Sequence, residues 1–125
     1  MIRKTVGYFE GTDSKLLTEL ICHGCDTIPI SNGFDNHGRH IRSIHEGSRF
    51  DLLIAYLHKL YAPSGSGTTY QDVFHVCGVY EMPILIEVPD EFHAQAREKL
   101  AELPDFVTLV DPSEALDAAR TILEI

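Results

Sequence analysis

Residues 51–88 constrain the fold more than any other stretch, because two buried-strand patterns there flank a Gly/Ser loop and a helix pattern. The apolar runs are LLIA at residues 52–55 and ILI at residues 84–86, and the loop SGSGT lies between them at residues 64–68. Continuous apolar runs of this length are typical of strands that helices cover on both faces, as in a parallel sheet. A right-handed strand–helix–strand unit places the loop at the carboxyl edge of the sheet, where amides at the start of a helix bind anions.

The rest of the chain repeats this alternation of strand and helix patterns. Further strands are predicted at residues 5–9, 26–30 and 106–110, with helices after the first strand, over residues 39–46, from Pro89 and from Asp111. Five strands alternating with five helices predict one α/β domain over residues 1–125, with a doubly wound parallel sheet in a flavodoxin- or Rossmann-like three-layer sandwich. A strand order of 2-1-3-4-5 follows if the first strand is central.

Composition and charge exclude several classes of protein. The sequence is 44% apolar and 23% charged, which is ordinary for a soluble globular domain. No apolar run approaches a membrane span and the N-terminus lacks a signal-peptide core, so we expect a cytoplasmic protein with no membrane partner. The net charge is −9, and its acidic excess lies in residues 63–125. Without a basic stripe, nucleic-acid binding is not expected.

Polar residues follow the strands at the predicted carboxyl edge. The candidates for catalysis are Glu10, Asp35, His37 and Asp72. The candidates for binding a ligand or its phosphate are Gly11, Thr12, Asp13, Ser31, Asn32, His58, Ser64, Gly65, Ser66, Gly67 and Thr68. Glu87 ends the fourth strand at the same edge, with no role assigned. Carboxylates, imidazoles, hydroxyls and amides suit acid–base chemistry on a phosphorylated sugar or nucleotide.

Several of these candidates have a plain structural explanation as well. Asp13 precedes a helix pattern and is a good N-cap. Asp35 lies in GFDNHG, where Asp, Asn and Gly favour turns in any case. The Gly/Ser loop also serves as a simple connection. Both interpretations stay open from the residues alone.

Histidine and cysteine residues do not predict a metal or redox centre. The chain has seven His and three Cys, but no zinc-binding spacing such as HExxH. Cys22 and Cys25 form a CxxC at the opposite, amino edge of the predicted sheet, and Cys77 shares a helix face with apolar residues. We therefore expect no metal, no cofactor and no disulfide framework.

The central unit resembles the nucleoside 2-deoxyribosyltransferases. The similar features are the strand at residues 51–55, the Ser66-Gly67-Thr68 loop end, the helix after it and the strand that Pro83 opens, and the likeness extends loosely over the whole chain. The resemblance implies cleavage of an N-glycosidic bond, with a Glu nucleophile three residues after the Thr. That position holds Gln71 here, followed by Asp72. An amide is no covalent nucleophile, so either Asp72 does the chemistry or the protein binds without reacting.

A second group of matches is similar to methylglyoxal synthase and related phosphate-binding domains. The sequence GTDSKLL at residues 11–17, the polar segment from Ser31 and the VYEMP at residues 79–83 carry this likeness. It implies phosphate held by Thr12, Ser14 and Ser31. The base of that family aligns with His37, two residues after Asp35. The strand and helix that precede this loop in that family have no counterpart here.

These observations lead to one leading hypothesis and two alternatives. The leading hypothesis is a small protein that binds a nucleotide or phosphorylated sugar at the carboxyl edge and acts as a deoxyribosyltransferase-like N-glycosidase. The first alternative is a methylglyoxal-synthase-like lyase that eliminates phosphate. The second is a non-catalytic module for ligand sensing or subunit interaction, which Gln71 makes credible. Assembly into a homo-oligomer fits each of them.

Overall fold

Six parallel strands form a single sheet in this protein. The computed structural model describes residues 3–31, 38–41, 44, 50–60, 69–100 and 103–125. The strands are β1 (Thr5–Phe9), β2 (Asp26–Ser31), β3 (Arg39–His40), β4 (Leu52–Tyr56), β5 (Ile84–Glu87) and β6 (Val107–Val110). Their order is β3-β2-β1-β4-β5-β6. Without the two-residue β3, this is the predicted five-stranded order 2-1-3-4-5, so the predicted flavodoxin-like α/β fold is confirmed.

Helices cover both faces of the sheet, because each strand exposes apolar side chains on its two sides. The helices are α1 (Ser14–Cys22), α2 (Leu57–Leu60), α3 (Tyr70–Val79), α4 (His93–Leu100) and α5 (Ala115–Leu123). Residues of α1 and α5 pack on the face that carries Val6 and Ile54. Residues of α3 and α4 pack on the opposite face, which carries Phe9 and Ala55. In a parallel sheet these connections bring the helix N-termini to the carboxyl edge.

The helix starts use the capping chemistry expected from the sequence. Asp13 is the N-cap of α1, and its side chain accepts a hydrogen bond from the Lys15 amide. Asp111 accepts a hydrogen bond from the Ser113 amide at the start of the short 3-10 turn that leads into α5. Helix α3 begins at Tyr70, and its N-cap is Thr69, the residue directly after the SGSGT loop.

Two local predictions of secondary structure were wrong in part. Residues 39–40, predicted as the start of a helix over residues 39–46, form strand β3, because Arg39 pairs with Ile30 and so extends the sheet beyond β2. Ile41 and Ile44 are buried, and the Ile44 amide donates a hydrogen bond to the Ile41 carbonyl as in a helical turn. Residues 42–43 and 45–46 lie outside the described ranges. The connection after β4 was predicted as a loop, but it starts with helix α2, which buries Leu60. Tertiary pairing and burial outweighed local sequence preference in both places.

Helices α1 and α4 each bury apolar side chains on one face, and apolar side chains at the margins are exposed. In α1, Leu16 and Leu20 are buried, but Ile21 is 50% exposed. In α4, Ala96 and Leu100 are buried, whereas Phe92 lies just before the helix and is 50% exposed. Within the described ranges, none of the helices has the length and apolar character needed to cross a bilayer.

Candidate functional site

The carboxyl ends of β1, β4 and β5 bring Asp13, Tyr56 and Glu87 together. Tyr56 and Glu87 are the last residues of neighbouring strands, and their Cα atoms are paired in the register of the sheet. Asp13 follows β1, and its backbone N–H donates a hydrogen bond to the Tyr56 hydroxyl oxygen at 3.2 Å. Because that oxygen is an acceptor for Asp13, its own proton points elsewhere, and the Glu87 carboxylate is its neighbour.

Glu87 is the most unusual residue of this edge, because it is a carboxylate held inside the fold. It is 6% exposed, and its Oε2 atom accepts no hydrogen bond from the part of the chain that the structure describes. Burial is the main cause that raises the pKa of Glu87, and the charge of Asp13 raises it further. The hydrogen bond from Tyr56 acts in the opposite direction and lowers that pKa.

Tyr56 is held as a neutral phenol. Burial is the largest cause that raises its pKa, and the adjacent Glu87 carboxylate raises that pKa as well. The nearby Thr12 hydroxyl and Asp13 amide offset part of this rise. The Tyr56 hydroxyl therefore keeps its proton next to the Glu87 carboxylate.

A pocket of about 560 Å³ opens beside Glu87 on the α4 side of this edge. Its lining residues are Tyr56, Leu57, His58, Glu87, Val88, Pro89, Phe92, Lys99 and Pro112. Five of these nine residues are apolar, and the other four are Tyr56, His58, Glu87 and Lys99. An apolar pocket with a small number of convergent polar groups is the usual form of a small-molecule site.

The rim above the pocket carries imidazole, ammonium and carboxylate groups. The His58 ring lies 5.6 Å from the Tyr56 ring, centroid to centroid. Gly11 lies beside both rings and has a φ of +99°, a conformation that favours glycine. Lys59 Nζ, on α2, lies 3.4 Å from a Glu10 carboxylate oxygen, so this ion pair links α2 to the turn after β1.

The structure assigns local roles to several residues predicted at the site. The Thr12 hydroxyl donates a hydrogen bond to the Phe9 carbonyl at 2.8 Å. Asp13 is the N-cap of α1, which is the structural role that the sequence offered for it. Ser31 ends β2 and is buried. Asp72 forms a capping box with Thr69, in which Asp72 Oδ2 accepts hydrogen bonds from both the amide and the hydroxyl of Thr69.

The other predicted site residues lie outside the described part of the chain. They are Asn32, Asp35, His37, Ser64, Gly65, Ser66, Gly67 and Thr68. Their predicted roles stay predictions. Of the described candidates, Glu10, Gly11, Asp13 and His58 lie together at the rim, next to Tyr56.

Sequence reasoning assigned no role to the two residues that organise this site. Glu87 was placed at the correct edge, but only its burial and its unpartnered oxygen distinguish it from the other carboxylates. Tyr56 was not a candidate at all. The signal available was a polar group at the last position of each buried run, where an apolar residue is the ordinary choice.

The cysteines do not form a second site. Cys77 is fully buried in the core under α3, Cys25 is buried and Cys22 is exposed, and all three thiols are free. Burial raises the pKa of the Cys77 thiol to about 12, which makes it an inert core residue. Among the residues that the structure describes, no three His, Cys, Asp or Glu side chains converge to hold a metal ion.

Comparison with known proteins does not assign the chain to a family. No protein-family model matches the sequence. No curated protein matches it either. A flavodoxin-like sheet hosts many unrelated activities, so function has to be argued from the site itself.

Proposed function

We propose that this protein binds a nucleotide or a phosphorylated sugar in the pocket at the carboxyl edge of the sheet. The observation that carries this proposal is Glu87, a buried carboxylate with an unpartnered oxygen beside an apolar pocket. A buried acceptor without a hydrogen bond costs about 1–3 kcal/mol. A ligand hydroxyl or N–H group that donates to Glu87 recovers this cost, which gives the pocket a reason to bind such a ligand.

The ring of the ligand lies against the apolar walls. Leu57, Val88 and Phe92 line the pocket, and Phe92 is half exposed next to it. A half-exposed aromatic side chain gains contact area when a flat ring covers it. The ring therefore faces Phe92 on one side and presents a donor group to Glu87.

The phosphate lies toward the rim, away from Glu87. His58 supports this orientation, because its exposed ring lies next to Gly11, where the chain turns with positive φ. The phosphate contacts assigned to Gly11, Thr12 and residues 64–68 belong to the same proposal. Keeping phosphate and carboxylate at opposite ends of the ligand avoids repulsion between like charges.

Cleavage or transfer of an N-glycosidic bond is the second candidate function, as the resemblance to nucleoside 2-deoxyribosyltransferases implies. The observation that favours it is that Glu87 combines burial, a raised pKa and access to the pocket, as a general acid for a leaving base requires. Asp72 stays the nucleophile candidate, although its Oδ2 is engaged with Thr69. Gln71 is exposed on α3 and favours the non-catalytic alternative, in which the same ligand binds without turnover.

Binding is tested by isothermal titration and amide NMR with nucleoside 5′-monophosphates and ribose 5-phosphate. We expect shifts of the amide resonances of His58, Glu87 and Phe92. Glu87→Gln should weaken binding at least about tenfold, because a hydrogen bond to a charged group is worth about 1.5–3 kcal/mol. The matched control is Glu98→Gln, which removes a carboxylate from the exposed face of α4. The absence of shifts around the pocket at millimolar ligand would contradict the proposal.

Turnover is tested separately by chromatography of a deoxynucleoside 5′-monophosphate incubated with the protein and a different free base. Release or exchange of the base, lost in Glu87→Gln or Asp72→Asn, supports the transferase candidate. Binding without any released base assigns the site to a sensing module.

A further inference from the structure

A second depression, of about 440 Å³, lies between α1 and α5 and meets the first pocket at Glu87 and Pro112. Its charged lining consists of four carboxylates, those of Asp13, Glu19, Glu87 and Asp117, and one ammonium group, that of Lys15. We propose that this α1–α5 groove binds an organic cation, an amine in its protonated form, with Glu87 as the buried countercharge.

The acidity of the groove exceeds what the start of α1 requires. Helix N-termini attract negative charge, and Asp13 already caps α1 by accepting a hydrogen bond from the Lys15 amide. Glu19 lies beyond the first turn of α1 and is not needed at that start. Asp117 is the acidic residue in the first turn of α5, whose N-cap Glu114 makes no side-chain capping hydrogen bond, so the helix start accounts for part of its role.

These remaining carboxylates are not used by ion pairs within the described residues. Three ion pairs are seen there, Arg3–Asp26, Lys59–Glu10 and His93–Asp90, and none of them includes Glu19, Glu87 or Asp117. Among the described lining residues Lys15 is the one cation, and it forms none of these pairs. When ionised, the described side chains of the groove therefore carry four negative charges against one positive charge.

Glu87 adds an independent reason to expect a ligand here. It is more than nine-tenths buried, it lines the groove, and its Oε2 has no hydrogen-bond donor in the described chain. An unpaired carboxylate in a site of low dielectric constant is costly, and a protonated amine supplies both the opposite charge and the N–H donors. A cation in the groove therefore gains more from Glu87 than from an exposed carboxylate.

The size and the geometry of the groove favour an organic cation over a bare metal ion. The carboxylates lie on α1, β5 and α5, and no three acidic, His or Cys groups of the described chain converge as metal ligands do. A volume of about 440 Å³ lies in the range of small-molecule sites. An alkyl amine fills more of this space, with Leu16 and Leu116 available to its carbon chain.

The test is an amide NMR titration of the full chain with 1,4-diaminobutane at fixed ionic strength, with 1-butanol as the uncharged control. We expect saturable shifts at residues 13–19 and 113–117, and none with 1-butanol. Glu19→Gln/Asp117→Asn should weaken binding about tenfold, since each partly exposed pair contributes up to about 1 kcal/mol. Lys15→Gln should tighten binding about threefold, because it removes a positive charge that repels the protonated amine with an energy similar to that of one such pair.

Two matched variants separate this site from general attraction to an acidic protein. Glu98→Gln/Asp105→Asn removes the same charge from exposed positions outside the groove, and Lys4→Gln matches Lys15→Gln near the amino edge of the sheet. Equal effects of test and control variants, or shifts spread over all acidic surfaces, would overturn the proposal. Glu19 and Asp117 do not line the first pocket, so the double variant should still bind phosphorylated ligands, and the two proposals can fail separately.

Discussion

At the scale of single residues, burial gives Glu87 properties that no other carboxylate of the edge is seen to share. Asp13 and Glu10 follow the end of β1 at the same edge but are exposed to solvent, whereas Glu87 is buried where the two depressions meet. The free energy of transferring the charge of Glu87 out of water then contributes most to its raised pKa. Of its neighbours, Tyr56 lowers this pKa and Asp13 raises it.

Glu87 makes the free energy of unfolding depend on pH, and the direction of this dependence follows from its raised pKa. A carboxyl whose pKa is higher in the folded state binds its proton more tightly there, so it stabilises the fold at low pH. This contribution is lost as pH rises from the usual value of 4.5 through the folded pKa. Glu87→Gln should therefore gain stability relative to the natural protein as pH rises, as measured by urea unfolding at a series of pH values. A constant difference at all pH values would contradict this assignment.

Tyr56→Phe removes the hydroxyl that accepts the Asp13 amide and that neighbours the Glu87 carboxylate. We expect a loss of about 0.5–1.5 kcal/mol in the free energy of unfolding, because one hydrogen bond is lost and the exposed Asp13 amide bonds to water instead. The pKa of Glu87 should rise, since Tyr56 lowers it in the natural protein. NMR titration of the Glu87 carboxyl carbon measures the shift, and an unchanged pKa would show that the phenol does not act on Glu87.

At the scale of secondary-structure elements, helix caps and close strand contacts decide stability more than site chemistry does. Helix α3 begins at a capping box in which Asp72 and Thr69 bond to each other's backbone amides. Strand β1 approaches Phe50 closely at Gly7, where a Cβ atom would lie 2.7 Å from the ring. The capping box sets where α3 begins, and the missing side chain at Gly7 lets the Phe50 ring pack closely against β1.

The capping box separates the structural role of Asp72 from its candidate role as nucleophile. Asp72→Ala should lower the free energy of unfolding by about 1 kcal/mol, while Asp72→Asn keeps an acceptor and should cost about half as much or less. Urea unfolding of the two variants measures this difference. A loss of turnover in Asp72→Asn at near-natural stability would identify chemistry beyond the cap, and equal stability of all three proteins would rule out the capping role.

Two glycines give opposite predictions for the same substitution. Gly7→Ala should destabilise by about 1–3 kcal/mol, because the new methyl group meets the buried Phe50 ring. Gly78→Ala in α3 should stabilise by up to about 1 kcal/mol, since the added Cβ makes ordinary contact with Phe106 at 3.5 Å and alanine favours helix. Thermal and urea unfolding of both variants measure the effects. Similar losses in both would mean that β1 has no special contact at Gly7.

At the scale of the whole molecule, three cysteines differ in burial, so their reaction with a thiol reagent measures how the α/β sandwich unfolds. Cys22 is exposed on α1, whereas Cys25 and Cys77 are buried. Burial also raises the pKa of both buried thiols, so few reactive thiolates form in the folded state.

A thiol reagent should therefore label one cysteine quickly in the native protein and all three after denaturation. The fast phase should vanish in Cys22→Ser, and Cys77 should react only at the rate of global unfolding, because it is enclosed between α3 and the sheet. Fast labelling of Cys77 in native buffer would show that α3 opens locally. The predicted homo-oligomer is a separate question for light scattering.

The sequence by itself determined the order of strands and helices, because buried parallel strands need continuous apolar runs and helices need apolar residues three to four positions apart. It also placed Glu10, Asp13 and His58 at one edge, since all parallel strands end on the same side. Only the tertiary structure decided that residues 39–40 form a strand, because that depends on the unpaired edge of β2. Likewise, only packing against α5 and Tyr56 distinguishes Glu87 from the exposed carboxylates, since desolvation is a property of the surroundings and not of the residue.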